Sequence, residues 1–239
     1  MDGEAIEKIK NLVERGVTVD LPDGTYATKL FQKIEPTVHH PRDFRITTLE
    51  SFVKLATDNP QGFDLNGAIV IIDADFCVDL VSPLRSDGCR DCYVSAKSPI
   101  SPFEFGTWYG LNSFNIGLLT LFVQDDKLLE LFRLMQEIKV DDSATINDNG
   151  TSMSVTVKHG VSAASASTEN VPSIVRLKPY RYFPEADQVE VPLLLRLRHD
   201  DKALQASLME CDGGAWKVAA YQAITKKLQE LGCQLPIYC

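Results

Sequence analysis

The apolar residues change period several times along the chain, and each change marks an element. Ala5, Ile6, Ile9, Leu12 and Val13 recur at helical spacing up to Gly16, which predicts an amphipathic opening helix. VTVDLP and TYATKL flank Asp23-Gly24 and read as a hairpin. KIEPTVHHPRDF, broken by Pro36 and Pro41, is a polar connection. Thr47 or Thr48 then caps a short helix with Leu49, Phe52, Val53 and Leu55 inward, stopped before Pro60. AIVIIDADFCVDLV reads as two strands around a tight turn at 73–75, and CYVSAKS as a third strand. After the loop SPISPFEFGTWYGLNS, the residues Val123, Leu128, Leu131, Phe132, Met135 and Ile138 recur as one face of a long helix.

The second half is mostly strands. Asn149-Gly150 sits between ATIND and TSMSVTVKHG, a strong hairpin signal. VSAASASTEN is small and polar, reads as a flexible loop and offers a boundary. SIVRLKPYRYF, VEVPLLLRLR and ALQASLMEC are three further strands. In the middle one, Val191, Leu193, Leu195 and Leu197 share a face, and Arg196 and Arg198 share the other. Asp212, Gly213 and Gly214 turn the chain into a last helix, with Trp216, Ala219, Ala220, Ala223 and Ile224 inward. The pattern predicts an α+β fold, with antiparallel sheets built from hairpins and a few packing helices. It forms one domain over 1–239, or two lobes, 1–140 and a strand-rich 141–239.

The C-terminal third carries a resemblance. Pro179, Tyr180, Arg181 and Phe183 form a Pro-Tyr-Arg-x-Phe turn after a strand, followed by a strand of alternating Leu and Arg. A third strand enters a helix through Gly213, Gly214, Ala215 and Trp216. With TVKHGVS upstream, this resembles the YfdQ-like family of tailed-phage and prophage proteins, and residues 25–60 match it more loosely. The resemblance implies a phage or prophage protein acting in the bacterial cytoplasm. It carries over no catalytic residue.

Charge narrows the function classes. The 239 residues hold 24 Lys and Arg against 33 Asp and Glu, a net charge of −9, which disfavours a global nucleic-acid coat or an anionic-membrane binder. No window reaches the roughly 18 apolar residues of a membrane span, and MDGEAIEKIK lacks the apolar core of a signal peptide. The six cysteines therefore read as reduced thiols. Cys89 and Cys92 form a lone CxxC with no second pair and no histidine at ligand spacing, where zinc wants four ligands. Asp73, Asp75 and Asp79 are closely spaced carboxylates, but Asp73 and Asp75 read first as turn formers. No Walker loop, nucleophile elbow, dinucleotide fingerprint or HExxH occurs, so no cofactor is expected.

The binding candidates are Arg176, Lys178, Tyr180, Arg181, Arg196 and Arg198, a basic and aromatic stripe across two adjacent strands, with Trp108 and Tyr109 from the aromatic loop. Arg forks and aromatic faces suit phosphate and base recognition. The simpler alternative is a solvated sheet face paired with Glu185, Asp187 and Glu190. The loop aromatics Phe103, Phe105, Trp108, Tyr109 and Phe114 form either a core plug or a partner interface. The leading expectation is a non-enzymatic, homo-oligomeric protein that binds a host defence protein or a small nucleotide-like, phosphorylated ligand in a counter-defence role. The alternatives are an accessory of phage DNA recombination or replication, better through protein contact than direct DNA binding, and a metal-dependent enzyme using Asp73/Asp75 or Cys89/Cys92.

Overall fold

The computed structural model describes residues 18–22, 24–27, 32–34, 43–138, 145–148, 152–158, 166–200 and 203–239. The chain divides into two compact units, Met1–Pro41 and Arg42–Cys239. In the first, β1 (Thr18–Leu21), β2 (Gly24–Ala27) and β3 (Gln32–Ile34) form an antiparallel sheet. The expected opening helix and the pair His39-His40 lie outside the described residues.

In the second unit the elements run β4 (Phe44–Ile46), α1 (Leu49–Asp58), β5 (Ile69–Ile72), β6 (Val78–Val81), β7 (Cys92–Ala96), β8 (Tyr109–Gly110), α2 (Leu111–Leu121) and α3 (Asp126–Glu137). Then follow β9 (Thr145–Asp148), β10 (Ser152–Lys158), β11 (Ala166–Pro172), β12 (Ile174–Leu177), β13 (Val191–Asp200), β14 (Ala203–Glu210), α4 (Trp216–Glu230) and β15 (Ile237–Tyr238). The strands order as β15-β5-β6-β7-β4, β12-β13-β14-β8 and β11-β10-β9. All pairings are antiparallel except β15 with β5 and β4 with β7. Antiparallel sheets with helices laid against them make the fold α+β.

Two hydrophobic clusters hold this unit together. In the first, the buried faces of β12, β13 and β14 (Val175, Leu177, Val191, Leu193, Leu195, Leu197, Leu204, Ala206, Leu208) pack with Phe114 and Leu118 of α2 and Leu128, Leu131 and Met135 of α3. In the second, Val70, Ile72, Val78, Leu80, Val94 and Ala96 of the five-stranded sheet pack with Leu49, Phe52 and Val53 of α1 and Ala220, Ile224 and Leu228 of α4. Alternate strand residues face each core, as the period-2 pattern requires. Trp216 and Val189 pack against both clusters.

Two expectations need correction. The single long helix is two, because Asp125 starts a new one by accepting from Leu128 N at 3.0 Å, while Phe122 is extended and bridges Pro179. The expected loop VSAASASTEN contributes its last residues, from Ala166, to β11, which pairs along β10 from Lys158 to Ser152. The first cluster joins α2 and α3, which precede residue 141, to β12, β13 and β14, which follow it. The β9–β10 pairing agrees with the hairpin expected around Asn149-Gly150, whose turn residues lie outside the described set.

Leu195 is fully buried between α2, α3 and the sheet, whereas Leu84 is 64% exposed. Leu195→Ala should therefore cost about 2–5 kcal/mol in urea unfolding, and Leu84→Ala should stay within about 0.5 kcal/mol of the parent. Equal losses at the two positions would contradict this core.

Candidate functional site

The loop between β12 and β13 is clamped before it presents Arg181. Leu121 O accepts from Tyr180 N at 2.9 Å, and Lys178 O accepts from Val123 N at 2.8 Å, so the break between α2 and α3 is a docking point. Tyr182 OH donates to Asp187 O at 2.6 Å and accepts from Val189 N at 3.0 Å. The buried Gln188 donates to Phe183 O and Ala186 O and accepts from Arg181 N. Glu185 accepts from Leu49 N, which fixes the loop to the first turn of α1.

Arg181 then enters the place where the two clusters meet. Its guanidinium lies 4.3 Å from the Phe105 ring centroid and 4.0 Å from that of Trp216. Each such contact is worth about 0.5–2 kcal/mol, the larger value when desolvated. The side chain is 6% exposed, and Nη1 pairs with Glu210 at the end of β14. Nε and Nη2 of Arg181 have no hydrogen-bond partner, and neither does the indole Nε1 of Trp216. Burial pushes the Arg181 pKa down from its ordinary value, and the Glu210 carboxylate opposes that shift.

The surrounding walls are built by two turns. At the β5–β6 turn, Asp73 Oδ1 accepts from Asp75 N at 2.9 Å and from Cys77 N at 2.8 Å. This holds Phe76 at φ +60°, a left-handed conformation that costs a bulky residue about 1–3 kcal/mol. The strained backbone sends the Phe76 ring inward, with centroids 5.4 Å from Trp216, 5.2 Å from Tyr221 and 5.8 Å from Tyr182. At the entry to α4, Gly213 and Gly214 take φ +64° and +83°, and Asp212 accepts from Gly214 N and Trp216 N. Together these elements border an open cleft of about 310 Å³, lined by Asp75, Phe76, Phe103, Phe105, Trp216 and Lys217 as well as Arg181 and Glu210.

The eight expected site residues do not converge. Arg176 is opposite Pro192, and Arg196 lies four residues further along β13, about 13 Å away at strand spacing. Arg176 lines a groove between α3 and β12, with Leu131 and Ile174. Lys178 is 3.9 Å from Asp125. The Tyr180 side chain lines a separate cleft beside Ile100 and Leu121. Arg198 stacks on Trp108 at 4.3 Å and donates to Gln205, next to Tyr109 on β8. Of the acidic partners expected for this face, Asp187 pairs with Lys226 and Glu190 with Lys127. The stripe is thus several separate surfaces, and Arg181 alone belongs to the cleft. Phe103 and Phe114 are core residues, so the aromatic loop is in large part a plug.

Phe76, Phe105, Glu210 and Trp216 were not among the expected residues. A signal for one contact was present, because the Pro-Tyr-Arg-x-Phe and Gly-Gly-Ala-Trp motifs meet in space as Arg181 against Trp216. Asp73 serves its own turn, and among the described residues no three His, Cys, Asp or Glu side chains form a metal-holding group. Burial raises the thiols of Cys77 and Cys233, and pushes Cys92 up to about 11 with Asp79 and Asp43 adding to the shift. Raised thiols are poor nucleophiles at neutral pH. Comparisons with protein-family models, with curated proteins and with solved structures return no match.

The Cys92 shift has a definite sign in stability. The unfolded chain loses this proton near 9.0 and the folded chain near 11, so the contribution is fully present below pH 9 and fades as pH rises towards 11. The urea midpoint of Cys92→Ser should fall less steeply over pH 9–11 than that of the parent. Parallel curves would show that Cys92 is not held in this way.

Proposed function

We propose that the protein is a non-enzymatic binding protein that holds a small anionic molecule in the Arg181 cleft. The observation that carries this reading is a buried guanidinium with two unpartnered nitrogens and an unpartnered indole N–H, on two residues, Arg181 and Trp216, that line one aromatic cleft. A buried donor without a partner costs about 1–3 kcal/mol, and more when charged. An anion reaching those donors recovers that cost as affinity. Among the described residues no helix is long and apolar enough to cross a membrane.

The resemblance to YfdQ-like phage proteins supports a reading in which the protein acts in the bacterial cytoplasm. Sequestering a small phosphorylated molecule there suits a counter-defence role. A homo-oligomer remains part of the proposal, and its subunit number is read in the same experiment.

Native mass spectrometry of freshly purified protein tests the reading. The expected result is added mass in the nucleotide range, lost on denaturation and absent from a folded Arg181→Gln variant. Bare chain or its clean multiples would contradict a retained small ligand and favour a macromolecular partner, as for a recombination or replication accessory. A metal-sized increment would favour the enzyme alternative.

A further inference from the structure

Arg181 and Glu210 are unequal partners. The guanidinium is held by contact with two rings, by a side chain only 6% exposed and by a loop tied through Gln188. Glu210 is 41% exposed at a strand end, and among the described residues its carboxylate has no other hydrogen-bond partner. Turning Glu210 into water moves a carboxylate that is already 41% exposed, and leaves Arg181 needing an acceptor that an incoming anion can supply. Moving Arg181 would strip it from both rings. An incoming anion therefore exchanges with Glu210 and leaves the arginine in place.

The contact itself is incomplete. Nη1 and Nη2 form a fork suited to a two-point grip on a carboxylate or phosphate. Glu210 meets Nη1 and leaves Nη2 without a partner. Resting on the reading of this cleft as a binding site, we infer that Glu210 occupies the place of a ligand's anionic group. The ligand is a flat unsaturated ring bearing one phosphate or carboxylate: the anion displaces Glu210 from Arg181, and the ring lies along the cleft's aromatic wall. Phe76, Phe103 and Trp216 supply that wall, and about 310 Å³ admits one ring system with a short acidic arm. Lys217 at the cleft adds attraction for the anion, while Asp75 disfavours a second negative group.

Calorimetric titration of the full chain tests this with adenosine monophosphate, indole-3-acetate, adenosine and inorganic phosphate, on the parent and on Glu210→Gln. Adenosine monophosphate or indole-3-acetate should bind at least tenfold more tightly than adenosine or phosphate alone. Which of the two wins separates a phosphate from a carboxylate ligand. Glu210→Gln should bind the same compound about tenfold more tightly than the parent, with Glu210→Ala moving in the same direction. If the parent binds and neither variant binds more tightly, Glu210 is no competitor and the inference falls while the binding reading stands. Binding of both adenosine monophosphate and indole-3-acetate no tighter than that of adenosine would also overturn it. If parent and variants bind none of these compounds, the binding reading falls first.

Discussion

A guanidinium over the rings of Phe105 and Trp216, where two hydrophobic clusters meet, is the constraint on which the second unit turns. Burying a charge is expensive unless it is paired and hydrogen-bonded. Here pairing is partial, since Glu210 meets one nitrogen and two others have no partner. Two rings soften the environment of the cation without supplying hydrogen-bond acceptors. A core built for stability alone would be served as well by a hydrocarbon of similar size. On the proposed reading, the arrangement gives up some stability to keep donors for a ligand.

The surrounding structure is organised to hold that cation still. The break between α2 and α3 catches the backbone on either side of Pro179, and Tyr182 and Gln188 close the loop internally. Phe76 reaches the cleft from a left-handed turn, and Trp216 reaches it from a glycine-rich entry to α4. Strain at Phe76 is maintained because Asp73 accepts from two backbone amides and the ring packs against three others. Two independent elements with special backbone geometry therefore converge on one cleft. Such pre-ordering lowers the entropy lost when a ligand arrives.

Much of the fold was legible because burial and periodicity agree. The alternation Val191, Leu193, Leu195, Leu197 correctly picks out the core face of β13, and the β1–β2 pairing, with Leu21 opposite Gly24, agrees with the hairpin expected there. The helix break at 122–125 was hidden because Leu118, Leu128, Leu131 and Met135 continue one apolar stripe across it. A capping Asp125 and a long-range bridge to Pro179 decide the matter, and periodicity is blind to both. The β11 strand was hidden for a different reason: small polar residues look like a loop, yet pairing with β10 holds them extended. The candidate site was only partly legible. Clustering in sequence suggested one basic stripe, but strand register separates Arg176 from Arg196, and Arg181 leaves the sheet altogether. Its true neighbours come from 76, 105, 210 and 216, separations that no local pattern reports.

On the proposed reading, the unpartnered donors of Arg181 and Trp216 serve one ligand together. A nitrogen–proton correlation spectrum that resolves the Arg181 Nε–H and both indole N–H groups tests it directly, with adenosine monophosphate and then indole-3-acetate added stepwise. The account predicts that the Arg181 Nε–H and Trp216 Nε1–H signals shift together along one saturating curve with at least one of the two compounds, while Trp108, stacked on Arg198, stays fixed. Signals that remain in place through the titration of both, or that move without a common saturation point, would contradict it.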